Sequence, residues 1–144
     1  GEVVGTRGRR KVRIVTCVNA HLILMEALRQ LDLQAADLDT AGVRIYKVGL
    51  SFPLEMTRID TFVEGLAEVL VIEEKGPVIE QQIKDHLYNR APGARPVVLG
   101  KHDAAGAPLL SELGELRPSR LLPVFAEWPA RHNPALDPRA RVVL

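Results

Sequence analysis

Aromatic residues are scarce in this sequence, at 4% of 144 positions, so any core must be aliphatic. Cysteine is nearly absent. With Cys17 alone, no internal disulfide can form, which fits a reducing, cytoplasmic setting. An iron–sulfur cluster usually needs several thiolates from one site, so none can be held within this chain. Apolar runs fall far short of the ~20 residues that span a bilayer, and the N-terminus has no signal-peptide pattern. These features exclude a membrane as partner. Charge of one sign is lacking too. The formal net charge is +1, which argues against broad electrostatic capture of nucleic acid. The one basic cluster, Arg7, Arg9, Arg10, Lys11 and Arg13, reads as a solvated lead-in to the first strand.

Motifs of self-contained chemistry are missing as well. His21, His86, His102 and His132 are scattered without metal-ligand spacing. Gly5 to Gly8 precedes the first strand, whereas phosphate-binding glycine loops follow one. Cys17 ends a strand next to a helix start, a place that can lower a thiol's pKa, but a small buried hydrophobe is the simpler reading. Tyr46, Lys47 and Ser51 surround the end of the second strand and suit a cleft or a half-exposed strand equally well.

What is present is a regular alternation of strand and helix. Val12–Cys17 is a β-rich run, and Asn19 is placed to cap a helix over about residues 20–31, with Leu24, Leu28 and Leu31 in one stripe. Residues 32–42 read as a polar, acidic loop ending at Gly42. A second strand covers Val43–Val48, and Pro53 closes the turn after it. A helix over about 56–67 follows, with Ile59, Phe62, Val63 and Leu66 on one face and Thr57 with Asp60 as a capping pair.

The third strand, residues 68–74, holds the unbroken apolar run Val69–Ile72. Such a run needs cover on both faces, the mark of an interior parallel strand. It ends abruptly in Glu73-Glu74-Lys75-Gly76-Pro77. Pro77 suits a first helical position, and Val78 or Ile79, Ile83 and Leu87 line the buried side of the helix that follows.

Beyond residue 90, where eight of the ten prolines lie, periodicity fades. Val97–Leu99 is a short fourth strand, and residues 100–117 read as a long loop. A last helix opens at Pro118, with Leu121, Leu122, Phe125 and Trp128 facing inward; Pro123 should kink it or delay its start. The expected fold is therefore three-layer α-β-α, with a mostly parallel sheet of four to five strands. Residues 11–130 form one domain, 1–10 a disordered or linker lead-in, and 131–144 a C-terminal linker. A chain opening Gly-Glu-Val-Val and closing Arg-Val-Val-Leu reads as a fragment of a larger polypeptide.

In open α/β sheets, ligands and partner surfaces gather where strands end. Glu73, Glu74 and Lys75 occupy such a place and are the candidate interface residues. A plain alternative is a solvated strand end whose acids favour the positive end of the next helix. No residue stands out as catalytic or metal-binding.

The segments YKVGLSFPLE, EVLVIEEKGPVIEQQIKDHLYN, VRIVTCVNAHLILMEALRQLDL and VVLGKHDAAGAPLLSELGEL carry a family resemblance. Over about residues 10–128 the chain resembles the 2-oxoacid:ferredoxin oxidoreductases, above all the large bacterial indolepyruvate ferredoxin oxidoreductases. The resemblance implies a domain like the C-terminal domain of transketolases, packed beside thiamine-binding domains. It implies thiamine diphosphate, magnesium and iron–sulfur clusters in the full-length parent, with ferredoxin and coenzyme A as partners and a homo-oligomeric assembly. The family's thiamine-binding and cluster-cysteine motifs have no counterpart here, so the fragment alone should be inactive. Gly76 stands where the resemblance implies a bulkier or basic residue. Two other readings remain open: a free-standing small-molecule-binding module, and the equivalent domain of another thiamine enzyme.

Overall fold

The computed structural model describes residues 11–40, 42–48, 60–61, 63–110 and 116–132. The order is β1 (Lys11–Cys17), α1 (Val18–Gln30), α2 (Ala35–Thr40), β2 (Val43–Val48), β3 (Leu66–Ile72), α3 (Val78–Leu87), a 3-10 turn (Pro92–Ala94), β4 (Val97–Leu99) and α4 (Pro118–His132). The four strands form one sheet in the order β2-β1-β3-β4, and every pairing is parallel. The α/β fold with a parallel sheet is thus as the residue pattern leads one to expect.

The apolar run of β3 explains the layering. Along a strand, successive side chains point to opposite faces. Leu70 and Ile72 join Val12, Ile14 and Leu99 on one face, beneath Ala20, Leu24, Ala27 and Leu28 of α1 and Leu121 and Phe125 of α4. Val69 and Val71 join Val15 on the other face, beneath Ile79, Ile83 and Leu87 of α3. All four residues of the run are at most 2% exposed. Burial on this scale contributes roughly 1.5–3 kcal/mol per side chain.

The strand order places a topological switch point between β1 and β3. From β1 the chain leaves toward one edge through α1; from β3 it leaves toward the other through α3. The helices depart on opposite faces, which opens a crevice outside the carboxyl ends of these two strands.

Several expectations need correction. Residues 35–40 form α2 rather than loop: the Gln34 N–H donates to Asp37 Oδ2 at 2.8 Å, the returning half of a capping box, and Leu33 and Leu38 are buried. The helix before β3 ends earlier than residue 67. Residues 60, 61 and 63 are helical, Gly65 adopts a φ of +73°, and Leu66 already belongs to β3. A register shift follows, in which Lys11 faces Leu66 and Val12 faces Glu68. β3 also ends earlier, at Ile72, leaving Glu73 and Glu74 beyond the strand.

α1 starts at Val18 with Cys17 at its N-cap and no side-chain cap, so Asn19 lies inside the helix and does not cap it. α3 starts at Val78, one position after Pro77. α4 begins at Pro118, not at Pro123, and runs through it; Pro123 is on the exposed side while Leu121 and Phe125 are buried. α4 runs on to His132, two residues into the segment 131–144 expected as a linker. Arg13 is buried in β1 rather than solvated. Arg7, Arg9, Arg10, the Gly5–Gly8 segment, Ser51, Pro53, Met56, Thr57, Ile59, Phe62, the side chain of Trp128 and the tail after His132 lie outside the described residues.

Among the described residues Phe125 is the largest fully buried side chain, and it belongs to α4. Phe125→Ala should cost roughly 3–5 kcal/mol if that helix is integral to the core. Equilibrium urea unfolding measures it; a change below about 1 kcal/mol would show α4 to be an appendage.

Candidate functional site

The site is built where β3 and β4 end and α3 begins. Pro77, the N-cap residue of α3, offers no side-chain acceptor, so the first amides of the helix need another partner. Glu73 supplies it from upstream. Its side chain turns inward, 5% exposed, with Oε1 accepting from the Ile79 N–H at 2.8 Å and Oε2 from the Glu80 N–H at 3.0 Å. Hydrogen bonds to an ionised group contribute about 1.5–3 kcal/mol each. The positive end of the helix favours the same carboxylate.

Glu80 continues the network. It is 4% exposed; Oε1 accepts from the Lys101 N–H at 2.8 Å and Oε2 from Lys84 Nζ at 2.6 Å. Lys101, 6% exposed, sends its side chain back and donates from Nζ to the Glu73 carbonyl at 2.6 Å. The ring closes on itself: Glu73 to α3, Glu80 to Lys101, Lys101 to Glu73. It fastens the ends of β3 and β4 to the first turn of α3.

Gly100 makes the ring possible. A Cβ there would stand 2.0 Å from Glu80 Oε1 and 2.5 Å from its Cδ, closer than atoms can approach. The loop after it is ordered by its own bonds. Leu109 and Leu110 donate to the carbonyls of Lys101 and Gly100 at 2.8 and 3.1 Å, and Asp103 Oδ1 accepts from Ala105 and Ala107, each at 2.9 Å. The His102-Asp103 pair is therefore not a joint site: Asp103 shapes its loop and His102 is exposed.

Burial pushes the Glu73 carboxyl pKa above its ordinary value. The bonds from Ile79 and Glu80 and the Lys101 charge oppose the shift, and the Glu80 charge adds to it. Between Glu73 and the helix the chain arches through Glu74, half-buried, and Lys75, exposed at a φ of +59°. That left-handed backbone costs a non-glycine residue about 1–2 kcal/mol. The three candidate residues thus divide: Glu73 points into the protein, while Glu74 and Lys75 form the outer arch.

The other candidates are kept apart. Cys17 is half-buried at the start of α1. His86 Nε2 lies 2.7 Å from Asp60 Oδ1, which also takes Arg90, joining the helical turn before β3 to α3. His21 sits in α1, its pKa lowered by burial and then by Lys47. Tyr46 is half-buried and Lys47 exposed on β2. Among the described residues, no three His, Cys, Asp or Glu come together to hold a metal ion. Among the same residues, no helix is long and apolar enough to cross a membrane.

Glu80, Gly100 and Lys101 escape a reading of the residues alone. Signals existed: Glu80 interrupts the buried face Ile79, Ile83, Leu87, and Gly100-Lys101 follows β4 directly.

Two outcomes are expected from this ring. Gly100→Ala should destabilise the chain by roughly 2–4 kcal/mol through overpacking against Glu80, and Glu80→Ala should recover part of that loss in a double-mutant cycle. Additive losses would mean that the two residues do not meet. Because the folded pKa of Glu73 is raised, its contribution to stability is complete below the unfolded value and declines as pH rises through the folded one. Glu73→Gln should flatten that decline in urea denaturation as pH rises above the ordinary carboxylate range. An unaltered profile would place the titration elsewhere.

Curated relatives of this chain include one named subunit from more than one organism. Over 91 residues the chain is 33% identical to indolepyruvate oxidoreductase subunit IorA of Thermococcus kodakarensis, which covers 63% of this chain and 13% of that protein. The same subunit of Pyrococcus abyssi is 32% identical over 80 residues, 56% of this chain and 11% of the relative. The chain therefore spans only a small part of these curated relatives. Among solved structures, 2-oxoglutarate:ferredoxin oxidoreductase from Magnetococcus marinus, with 2-oxoglutarate, coenzyme A and succinyl-CoA bound, aligns with a TM-score of 0.48 at 17% identity, over 90% of this chain and 20% of that one. The family model described as the indolepyruvate oxidoreductase domain matches residues 2–127, and the chain belongs to that family.

Proposed function

We propose that this chain is a non-catalytic bracing domain of a 2-oxoacid:ferredoxin oxidoreductase acting on indolepyruvate or a related aryl 2-oxoacid. The family match over residues 2–127 carries the reading, because the chain spans 13% or less of the two IorA relatives, so most of such an enzyme lies in other domains. The parent enzyme would decarboxylate its substrate oxidatively, with electrons passing to ferredoxin and the acyl unit to coenzyme A. Thiamine diphosphate, magnesium and iron–sulfur clusters would belong to those other domains. The described residues do not fit a metal centre, so no step of the chemistry is routed through them.

The domain, residues 11–130 with flanking connectors, would press against the thiamine- and cluster-binding domains in a cytoplasmic homo-oligomer. Glu74 and Lys75 are suited to the contact, and Glu73 acts through them. The arch carrying these two charges is fixed at both ends by buried bonds, so little freedom is left to lose when a partner surface docks. Glu74 and Lys75 would pair across the surface, while Glu73 and Lys101 hold the arch in place.

The test belongs in the full-length enzyme. Glu74→Gln combined with Lys75→Ala should weaken subunit assembly or turnover by about fivefold, the scale of a lost charge pair of about 1 kcal/mol at a rim. Glu73→Gln should act in the same direction through the arch. Sedimentation and steady-state kinetics read the effect; unchanged values for all three substitutions would sink the bracing role.

A further inference from the structure

We propose that the start of α1, framed by Thr16, Asn19 and Lys47, binds a small oxyanion, a carboxylate or a phosphate group. α1 runs for 13 residues, has no side-chain cap at Cys17 and carries no acidic residue in its first turn. Its first N–H groups and positive end therefore face the switch-point crevice without a neutralising partner among the described residues.

Thr16 is fully buried, and its hydroxyl has no hydrogen-bond partner. Buried hydroxyls without a partner are uncommon and need an explanation. Strand alternation sets Thr16 on the face of Val12 and Ile14, and those two pack against Ala20 and Leu24 of α1. The hydroxyl thus lies below the first turn of that helix, one residue before its N-cap.

The parallel register brings a cation to the same place. Thr16 is paired with Lys47 of β2, so both side chains leave the sheet on one face. Lys47 is close enough to His21 to lower its pKa, although burial is the larger cause. His21 Nδ1 is itself buried without a partner. Asn19 and Lys47 are exposed, so an anion can approach from the carboxyl edge of the sheet. Helix amides, an ammonium and a free hydroxyl are the donor set that oxyanions take.

This site is independent of the bracing role, and either can fail without the other. The test is an amide NMR titration of the 144-residue chain with inorganic phosphate and, separately, with pyruvate, at matched ionic strength. Saturable shifts confined to residues 18–21 are expected. Saturation with phosphate alone would assign a phosphate ester, with pyruvate alone a carboxylate, and with both a general oxyanion site. Lys47→Ala should weaken the response about fivefold, as should Thr16→Val, which preserves shape and removes only the hydroxyl. Shifts that fail to saturate, or that spread over the surface cations, overturn the proposal. So does a folded Thr16→Val chain that binds as the parent does, since a purely structural hydroxyl would leave binding untouched.

Discussion

A carboxylate taken into the interior at Glu73 is the constraint on which the rest of this domain edge depends. Removing a charge from water costs several kcal/mol unless its partners replace the lost hydration. Here two helix amides, the positive end of α3 and the Lys101 ammonium offset part of that cost, and burial still holds the carboxyl pKa above its ordinary value. The dependence runs both ways. Without Glu73, α3 would start at a proline that cannot cap it, with the Ile79 and Glu80 amides shut away from solvent and unpaired. Those residues form the start of the face that covers Val69 and Val71. The packing on one side of the sheet therefore rests on an electrostatic cap lying outside the helix itself.

The same bonds define where charge reaches the surface. Glu80 is held by Lys101, and Lys101 by the carbonyl of Glu73, so the ends of two parallel strands move as one unit. Gly100 admits the Glu80 carboxylate to that junction because it has no side chain to obstruct it. What remains free of the ring is the arch through Glu74 and Lys75. The left-handed backbone at Lys75 persists because bonds on both sides over-determine it.

Much of this architecture is legible in the residues, and the illegible parts share a cause. The Val69–Ile72 run announces a strand covered on both faces, and the spacing of Ile79, Ile83 and Leu87 announces the face of α3. These patterns reflect local periods that tertiary packing only confirms. The fate of Glu73 does not follow from any local period. An acid after a strand looks equally well like a solvated end, and only the distance to the α3 amides decides. α2 is a different kind of miss. The Gln34 and Asp37 spacing and the apolar Leu33 and Leu38 were local signals, outweighed by the acidic, polar texture of residues 32–42. The ring partners Gly100 and Lys101 open a segment whose glycines and weak periodicity suggest a loose loop. Backbone bonds and the Asp103 carboxylate order it instead.

The two helices leaving the switch point show how one physical rule can serve opposite ends. α3 has its first amides satisfied by a side chain of its own protein, which converts the positive end of a helix into a fold constraint. Among the described residues α1 begins without such a side chain, beside a buried hydroxyl that lacks a partner and an exposed ammonium. The strand order makes the two starts neighbours, since β1 and β3 are adjacent and their helices diverge to opposite faces. A rigid start at α3 keeps one wall of the crevice fixed. The start of α1, with no acidic residue in its first turn, leaves the other wall with donor capacity among the described residues. Rigidity on one side and free donors on the other are what a domain needs to hold a charged group at a set position relative to its neighbours, and neither property requires the domain to perform chemistry of its own.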